Sequence, residues 1–227
     1  IERKNQVSQL SQGSLALLEN IRFDPRETSK IGEERHALAE ELALCGDIFV
    51  SDGFGVVHRD QASVTDIAHI LPSYAGFLVT QEFNVFNEVV SHPKRPYVVI
   101  LGGSKVSDKL GVIKNLISKV DVLLIGGGMC FTFLKALGYQ IGNSLVEDDY
   151  IETVKNFLAD AQSSGVKIML PVDIVIANSF AEDSQHAVVN AKEIPEGWMG
   201  LDIGPETSNA FRSEILSAKT VVWNGPM

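Results

Sequence analysis

The sequence predicts an α/β protein of two parallel-sheet lobes joined by a helix, both lobes incomplete in this chain. Three observations predict it. Apolar runs such as VVIL and VLLI carry no polar alternation, which fits strands covered by helices on both faces. Such runs alternate with segments of helical period. Near the middle, a long amphipathic stretch ends in prolines, which mark a boundary.

In chain order, residues 14–21 (SLALLENI) read as a buried strand. Residues 33–44 repeat apolar positions at helical spacing until Gly46 stops them, and 47–51 (DIFVS) form a second short strand before a glycine-rich polar loop over 52–63. Strand, helix, strand in that order predicts a parallel βαβ unit. Residues 1–75 are therefore assigned to a first lobe and 76–94 to a connector, in which the helix 76–90 is ended by His92, Pro93 and Pro96. Over 95–227 the pattern restarts as strand 97–101, helix 107–119, strand 122–125, helices 129–137 and 149–163, and strand 167–177. An apolar segment at 199–203, helix 208–217 and strand 220–223 complete it. No repeat of fixed period is present.

The 227 residues, 45% hydrophobic and 21% charged, can bury one large core or two modest ones. A net charge of -10 argues against non-specific nucleic-acid binding, so any phosphorylated ligand must meet a local basic cluster. No stretch approaches the ~20 apolar residues of a membrane helix, and no signal-peptide pattern opens the chain. A cytoplasmic protein with no membrane partner is expected. Cys45 and Cys130 match neither a zinc nor a redox spacing and read as reduced core thiols. The start at Ile1 and the strand that stops at Asn-Gly-Pro both read as cuts.

The chemistry concentrates at strand ends. Gly102, Gly103, Ser104 and Lys105 follow a buried strand and precede a helix, where open α/β sheets bind ligands. Paired glycines admit a ligand to the backbone, and Lys105 and Lys109, four apart, would share a helix face. Lysines in a first helical turn oppose the helix dipole unless an anion offsets them; the alternative is a solvated lysine pair beside a tight turn. Gly126, Gly127 and Gly128 repeat the strand–glycine–helix layout, either to cradle a phosphate or to close a strand–helix turn. Neither segment is a P-loop, and Phe131 replaces the last glycine of GxGxxG. Asn224, at another strand's carboxyl end, would add a side-chain amide.

Arg22 and Arg59 could each present a guanidinium fork to a carboxylate or phosphate, or serve in a surface ion pair. His58 lacks a partner for acid–base work. Trp198 and Met199 read as packing residues beside a pocket wall at Gly200 and Leu201.

Together and in order, LLENIRF, DGFGVVHR, LGGSKVSDK, IGGGMCFTFLK, LPVD, GWMGLDIGP and VWNGPM resemble the phosphoglycerate kinases. The resemblance implies two Rossmann-like lobes flanking a cleft, with a hinge between them. One lobe would hold 3-phosphoglycerate or 1,3-bisphosphoglycerate, the other Mg-ADP or Mg-ATP, in a monomeric glycolytic enzyme. On that resemblance Arg22 and Arg59 bind the phosphoglycerate phosphate, and Lys105 and Lys109 are the catalytic phosphate-binding lysines. Gly102, Gly103, Gly126, Gly127, Gly128, Gly200 and Leu201 form the nucleotide pocket, with Leu145 against adenine and Asn224 near the phosphates.

The family's substrate-binding Asp-x-Asn, a transition-state arginine and a His-x-x-x-Arg region would precede Ile1, and its metal-linked Asp would follow Met227. Mg2+ is thus expected to arrive with the nucleotide, with no metal ligand from this chain, and the chain alone is expected to be inactive. Ser104 replaces the family's usual Ala, and Gly53, Val56 and Val57 also depart from its pattern; these are expected to be tolerated. Two other readings stand beside this one. A nicotinamide-dependent dehydrogenase would need an acidic ribose ligand where Gly126, Gly127 and Gly128 stand. A non-catalytic nucleotide-binding module would use the same pocket without turnover.

Overall fold

The computed structural model describes Val7 and residues 9–227. The chain falls into two compact units, Ile1–Glu88 and Val89–Met227.

In the first unit, helix α1 (Gly32–Ala43) precedes the short strands β1 (Phe49–Ser51) and β2 (Ser73–Ala75), which pair in parallel with Phe49 opposite Ser73. Leu38, Ala39 and Leu42 of α1 bury against Ala62 and Ile67, which sit on two short helical turns, Ala62–Asp66 and Ile67–His69. Arg35 ties α1 to those turns by an ion pair with Asp66 at 3.0 Å. Helix α2 (Phe77–Ser91) begins where Asp52 Oδ1 accepts the Val79 N–H at 3.0 Å, satisfying one of the free donors of its first turn.

The strand expected over 14–21 is absent. Leu15 and Leu17 are fully exposed, and β1 and β2 pair only with each other. An apolar run becomes a strand only when an edge accepts its backbone donors, and none does so here among the described residues. The parallel partner of β1 is instead β2, whose three residues after Pro72 carry too little pattern to be read from sequence.

The second unit contains β3 (Tyr97–Leu101), helix α3 (Leu110–Leu116), β4 (Val122–Ile125), helix α4 (Cys130–Ala136) and β5 (Gln140–Ile141). Helix α5 (Ile151–Ser163), β6 (Lys167–Met169), β7 (Asp173–Ala177), β8 (His186–Asn190) and β9 (Glu193–Ile194) follow. Strand β10 (Met199–Ile203), helix α6 (Pro205–Ser217) and β11 (Thr220–Asn224) end the unit. Four strands form a parallel sheet in the order β11-β3-β4-β6. Alternate residues of β3 and β4 feed two cores. Tyr97, Val99, Leu101, Leu123 and Ile125 face one that includes Ile113 of α3, Phe133 of α4 and Phe157 of α5, while Val98, Ile100, Val122 and Leu124 face Phe211 of α6. Covered on both sides, such strands need no polar positions.

Two expectations for this unit fail. The strand read over 167–177 is two strands: Pro171 interrupts it, and β7 joins an antiparallel sheet, β10-β7-β8, that was not anticipated. Proline removes a ladder donor, and the chain changes sheets there. The helix read over 107–119 is only Leu110–Leu116, so Lys105 and Lys109 precede its regular turns and do not share a face of it.

Candidate functional site

The carboxyl ends of β3, β4 and β11 are laced together through backbone bonds. Gly102 N–H donates to the Asn224 carbonyl at 2.9 Å, Gly103 N–H to the Pro226 carbonyl at 2.8 Å, and Gly126 N–H to the Leu101 carbonyl at 2.9 Å. Met129 N–H donates to the Gly103 carbonyl at 2.9 Å. This spacing dictates glycine. Gly127, at φ +61°, would place a Cβ 2.6 Å from Gly103 N, and a Cβ on Gly102 would run into the Pro226 carbonyl.

Beside these turns lies a cavity of about 500 Å3. Gly103, Ser104, Gly127 and Gly128 form its floor, and Leu145, Gly200 and Leu201 form a wall. Gly200 is held by its N–H bond to the buried Ser144 hydroxyl at 2.8 Å, and a Cβ there would strike the Phe131 ring. Gly102 and Gly126 do not line the cavity; they join the strand ends behind it. Lys109 and Asn224 meet at the same strand ends, where the Lys109 ammonium donates to Asn224 Oδ1. The Lys109 side chain passes 3.6 Å from the position of a Gly103 Cβ. None of Lys105, Lys109 and Asn224 is among the cavity-lining groups, and the Lys105 charge helps to hold the Glu147 carboxyl below its usual range.

Several lining residues escaped the sequence reading. Phe180, 87% exposed, stands at the cavity from the loop between β7 and β8, and Asn143, Pro226 and Met227 also contribute. Met199, read as a packing residue, lines the cavity as well, whereas Trp198 packs against the core as expected. A lone phenylalanine in the polar run NSFAEDS has no periodicity to betray it.

Arg22 and Arg59 lie in the first unit. Arg22 sits on the short turn Ile21–Phe23, whose start is capped by Asn20, and both arginines are exposed. Neither makes an ion pair among the described residues. Arg26 differs: the Asp24 and Glu41 carboxylates bind it and raise its pKa further. The sequence does not separate these arginines; the contacts do.

Among the described residues no three His, Cys, Asp or Glu side chains cluster to hold a metal. Cys130 is buried, and desolvation, followed by the nearby Asp202 charge, pushes its thiol well above the ordinary range.

The family model described as phosphoglycerate kinase matches residues 1–227. The phosphoglycerate kinase of Corynebacterium urealyticum is 58% identical over 221 residues, covering 96% of this chain and 54% of that protein. That of Leifsonia xyli is 57% identical over 226 residues, covering 97% and 56%. Among solved structures, phosphoglycerate kinase from Coxiella burnetii superposes with a TM-score of 0.73 at 38% identity, covering 91% of this chain and 52% of that one. The Pyrococcus horikoshii enzyme does so at 0.79 and 27% identity, covering 99% and 57%. The chain spans about half the length of the curated relatives it matches.

Proposed function

This chain belongs to the phosphoglycerate kinase family, and from that premise we propose that it carries the nucleotide pocket of an enzyme moving a phosphoryl group between 1,3-bisphosphoglycerate and ADP. One observation carries the reading: a cavity of about 500 Å3 floored by glycine turns, with the Lys109–Asn224 pair at the same strand ends. That volume suits a nucleoside, and bare backbone there admits a planar base. Leu145, Gly200 and Leu201 would flank adenine, with Phe180 closing the open side. Gly102 and Gly126 support the floor by bonding the strand ends.

In the reaction, the bond from phosphorus to the acyl oxygen of 1,3-bisphosphoglycerate breaks and a bond to a terminal ADP oxygen forms. The carboxylate of 3-phosphoglycerate leaves as a stable anion, so no general base is required. What remains is positioning and charge neutralisation. Lys109 would exchange Asn224 for a phosphate oxygen, Lys105 would add a second positive charge, and Asn224 would then donate its amide N–H to the phosphates. Arg22 and Arg59 are assigned to the phosphate of the phosphoglycerate, consistent with guanidinium groups that form no ion pair among the described residues. Mg2+ is assigned to the nucleotide, whose phosphate charge it would partly neutralise; the described residues offer it no cage of their own. A monomeric cytoplasmic enzyme of glycolysis completes the proposal. Among the described residues no helix is long and apolar enough to cross a membrane.

A nucleotide-binding module without turnover is the second reading, since the same cavity would hold a nucleotide whether or not transfer follows. The dehydrogenase reading lacks its acidic ribose ligand, since three glycines follow β4. Calorimetry with Mg-ADP on this chain, and a coupled ATP-forming assay on the complete protein, separate these. Binding by the chain with turnover by the complete protein is expected; a complete protein that binds Mg-ADP but transfers nothing would leave only the module.

A further inference from the structure

The segment 104–109 carries both lysines yet has no regular structure of its own beyond a turn in which Lys109 N–H donates to the Val106 carbonyl at 2.9 Å. Something else must fix it. The Ser107 N–H donates to Glu147 Oε2 at 3.0 Å, and the Ser107 hydroxyl donates to Glu147 Oε1 at 2.7 Å. Both carboxylate oxygens therefore grip a single residue between the two lysines.

Glu147 is itself anchored. Its N–H donates to the hydroxyl oxygen of Thr132, a fully buried residue on α4, and the neighbouring Asp148 pairs with Lys135 of the same helix at 2.7 Å. Helix α4 follows directly on the Gly126, Gly127, Gly128 turn. Two residues before Glu147, Leu145 forms the cavity wall, its Cδ2 3.1 Å from where a Gly128 Cβ would stand. One carboxylate thus joins the glycine turn, the apolar wall and the lysine segment.

We infer that Glu147 is a positioning residue, whose carboxylate holds the segment bearing Lys105 and Lys109 in register with the Leu145 wall. Burial would push this carboxyl up, but the Ser107 hydroxyl, the N–H groups of Ser107 and Val106, and the Lys105 charge hold it below its usual range. It therefore stays ionised at neutral pH as a two-point acceptor. Without it, the base wall and the phosphate lysines would be free to shift against each other, and small misplacements of charge are costly in a reaction that depends on position. The inference rests on the kinase reading.

The test uses the complete protein and the variants Glu147→Gln, Ser107→Ala and Ser107→Thr. Glutamine keeps the shape but turns an amide N–H toward one of the Ser107 donors. We expect kcat to fall about 10- to 100-fold in E147Q, assayed well below its unfolding temperature. The KM for 3-phosphoglycerate should stay within about twofold of wild type, because that ligand is assigned elsewhere. S107A should fall between wild type and E147Q, and S107T, which restores the hydroxyl, should recover most of the loss. Backbone amides of 105–109 should exchange faster in E147Q.

Wild-type kinetic constants in E147Q, or a loss of activity that only tracks the unfolded fraction, would overturn the assignment. If the wild-type protein transfers no phosphoryl group, the kinase reading fails instead, and hydrogen exchange alone decides whether the clamp exists: faster exchange at 105–109 supports it, unchanged exchange ends it.

Discussion

Replacing Asp173 by Asn should destabilise the second unit through a helix cap. Asp173 opens β7 and is almost fully buried. Its Oδ1 accepts the Thr207 N–H at 2.7 Å and the Thr207 hydroxyl at 2.6 Å, and its Oδ2 accepts the Glu206 N–H at 2.9 Å. The two N–H donors are free amides of the first turn of α6. An Asn in the same pose keeps one oxygen for Thr207 but faces the Glu206 N–H with an amide N–H. An orphaned buried donor costs about 1–3 kcal/mol, and loss of a negative charge at a helix N-terminus about 0.3–1 kcal/mol more. The sum, about 1–4 kcal/mol, corresponds to a fall in Tm of roughly 3–12 °C for a unit of this size. Both tryptophans of the chain, Trp198 and Trp223, lie in this unit, so their fluorescence on heating reports it. The difference should also depend on pH. Burial pushes the Asp173 carboxyl up, but the Thr207 hydroxyl and the N–H groups of Thr207 and Glu206 hold it below its ordinary value of 3.8. In the acid range the unfolded chain therefore binds the proton first. The stabilisation is complete above the ordinary value and is lost as pH falls through the lower folded one, so wild type and D173N should converge in acid. An unchanged Tm at neutral pH, or a difference that widens in acid, would refute the reasoning.

Changing Lys109 to Ala in the complete protein should lower kcat about 100-fold with little change in Mg-ADP affinity, because a charge aimed at transferring phosphate matters most in the transition state. An unchanged rate would remove Lys109 from the site. Phe180→Ala should weaken Mg-ADP binding about 5- to 10-fold, near the lower end of base–aromatic stacking because the ring is so exposed. Calorimetry giving wild-type affinity would exclude the ring as a base contact. Iodoacetamide at mildly alkaline pH should label half-exposed Cys45 in the folded chain and leave Cys130 unmodified until urea is added. Labelling of Cys130 in the native state, read by mass spectrometry, would show that its burial is not maintained.

The parts legible in the sequence are those whose environment leaves a local mark. β3 and β4 are buried along their whole length, and that is the condition under which an uninterrupted apolar run identifies a central strand. The glycine turns after them are legible because close backbone approach excludes a Cβ, whatever the ligand. Residues 14–21 also carry an apolar run, yet strand formation depends on a pairing edge elsewhere, which no window of that segment records. The limits of the lysine helix were misjudged for a related reason. Residues 107–109, read as its first turn, form a turn held through Glu147, and the regular helix begins only at Leu110. Glu147 was invisible because it stands in the run EDD, which reads as a solvated acidic face. Its importance lies in a bond made forty residues away.

The same device operates in the first unit. Glu27, 1% exposed, accepts the Ser63 N–H at 3.0 Å and the Ser63 hydroxyl at 2.6 Å. Two residues on, the Thr65 hydroxyl donates to the carbonyl of Arg59 at 2.9 Å. Glu27 also ends the stretch that begins with Arg22, so this carboxylate links the segments bearing both proposed substrate arginines. In each unit, then, cationic residues sit on irregular backbone, and a glutamate fixes that backbone by gripping a neutral serine at two points. The choice of partner matters. A carboxylate paired directly with Arg22, Arg59 or Lys109 would order the segment equally well, but it would neutralise the charge a phosphate needs to meet. Bonds from neutral donors to a charged acceptor contribute about 1.5–3 kcal/mol each, enough to order a loop without a direct ion pair to its cations. Positioning by acid and serine, with recognition by separate basic groups, would allow a chain of net charge -10 to keep the proposed local sites for anions.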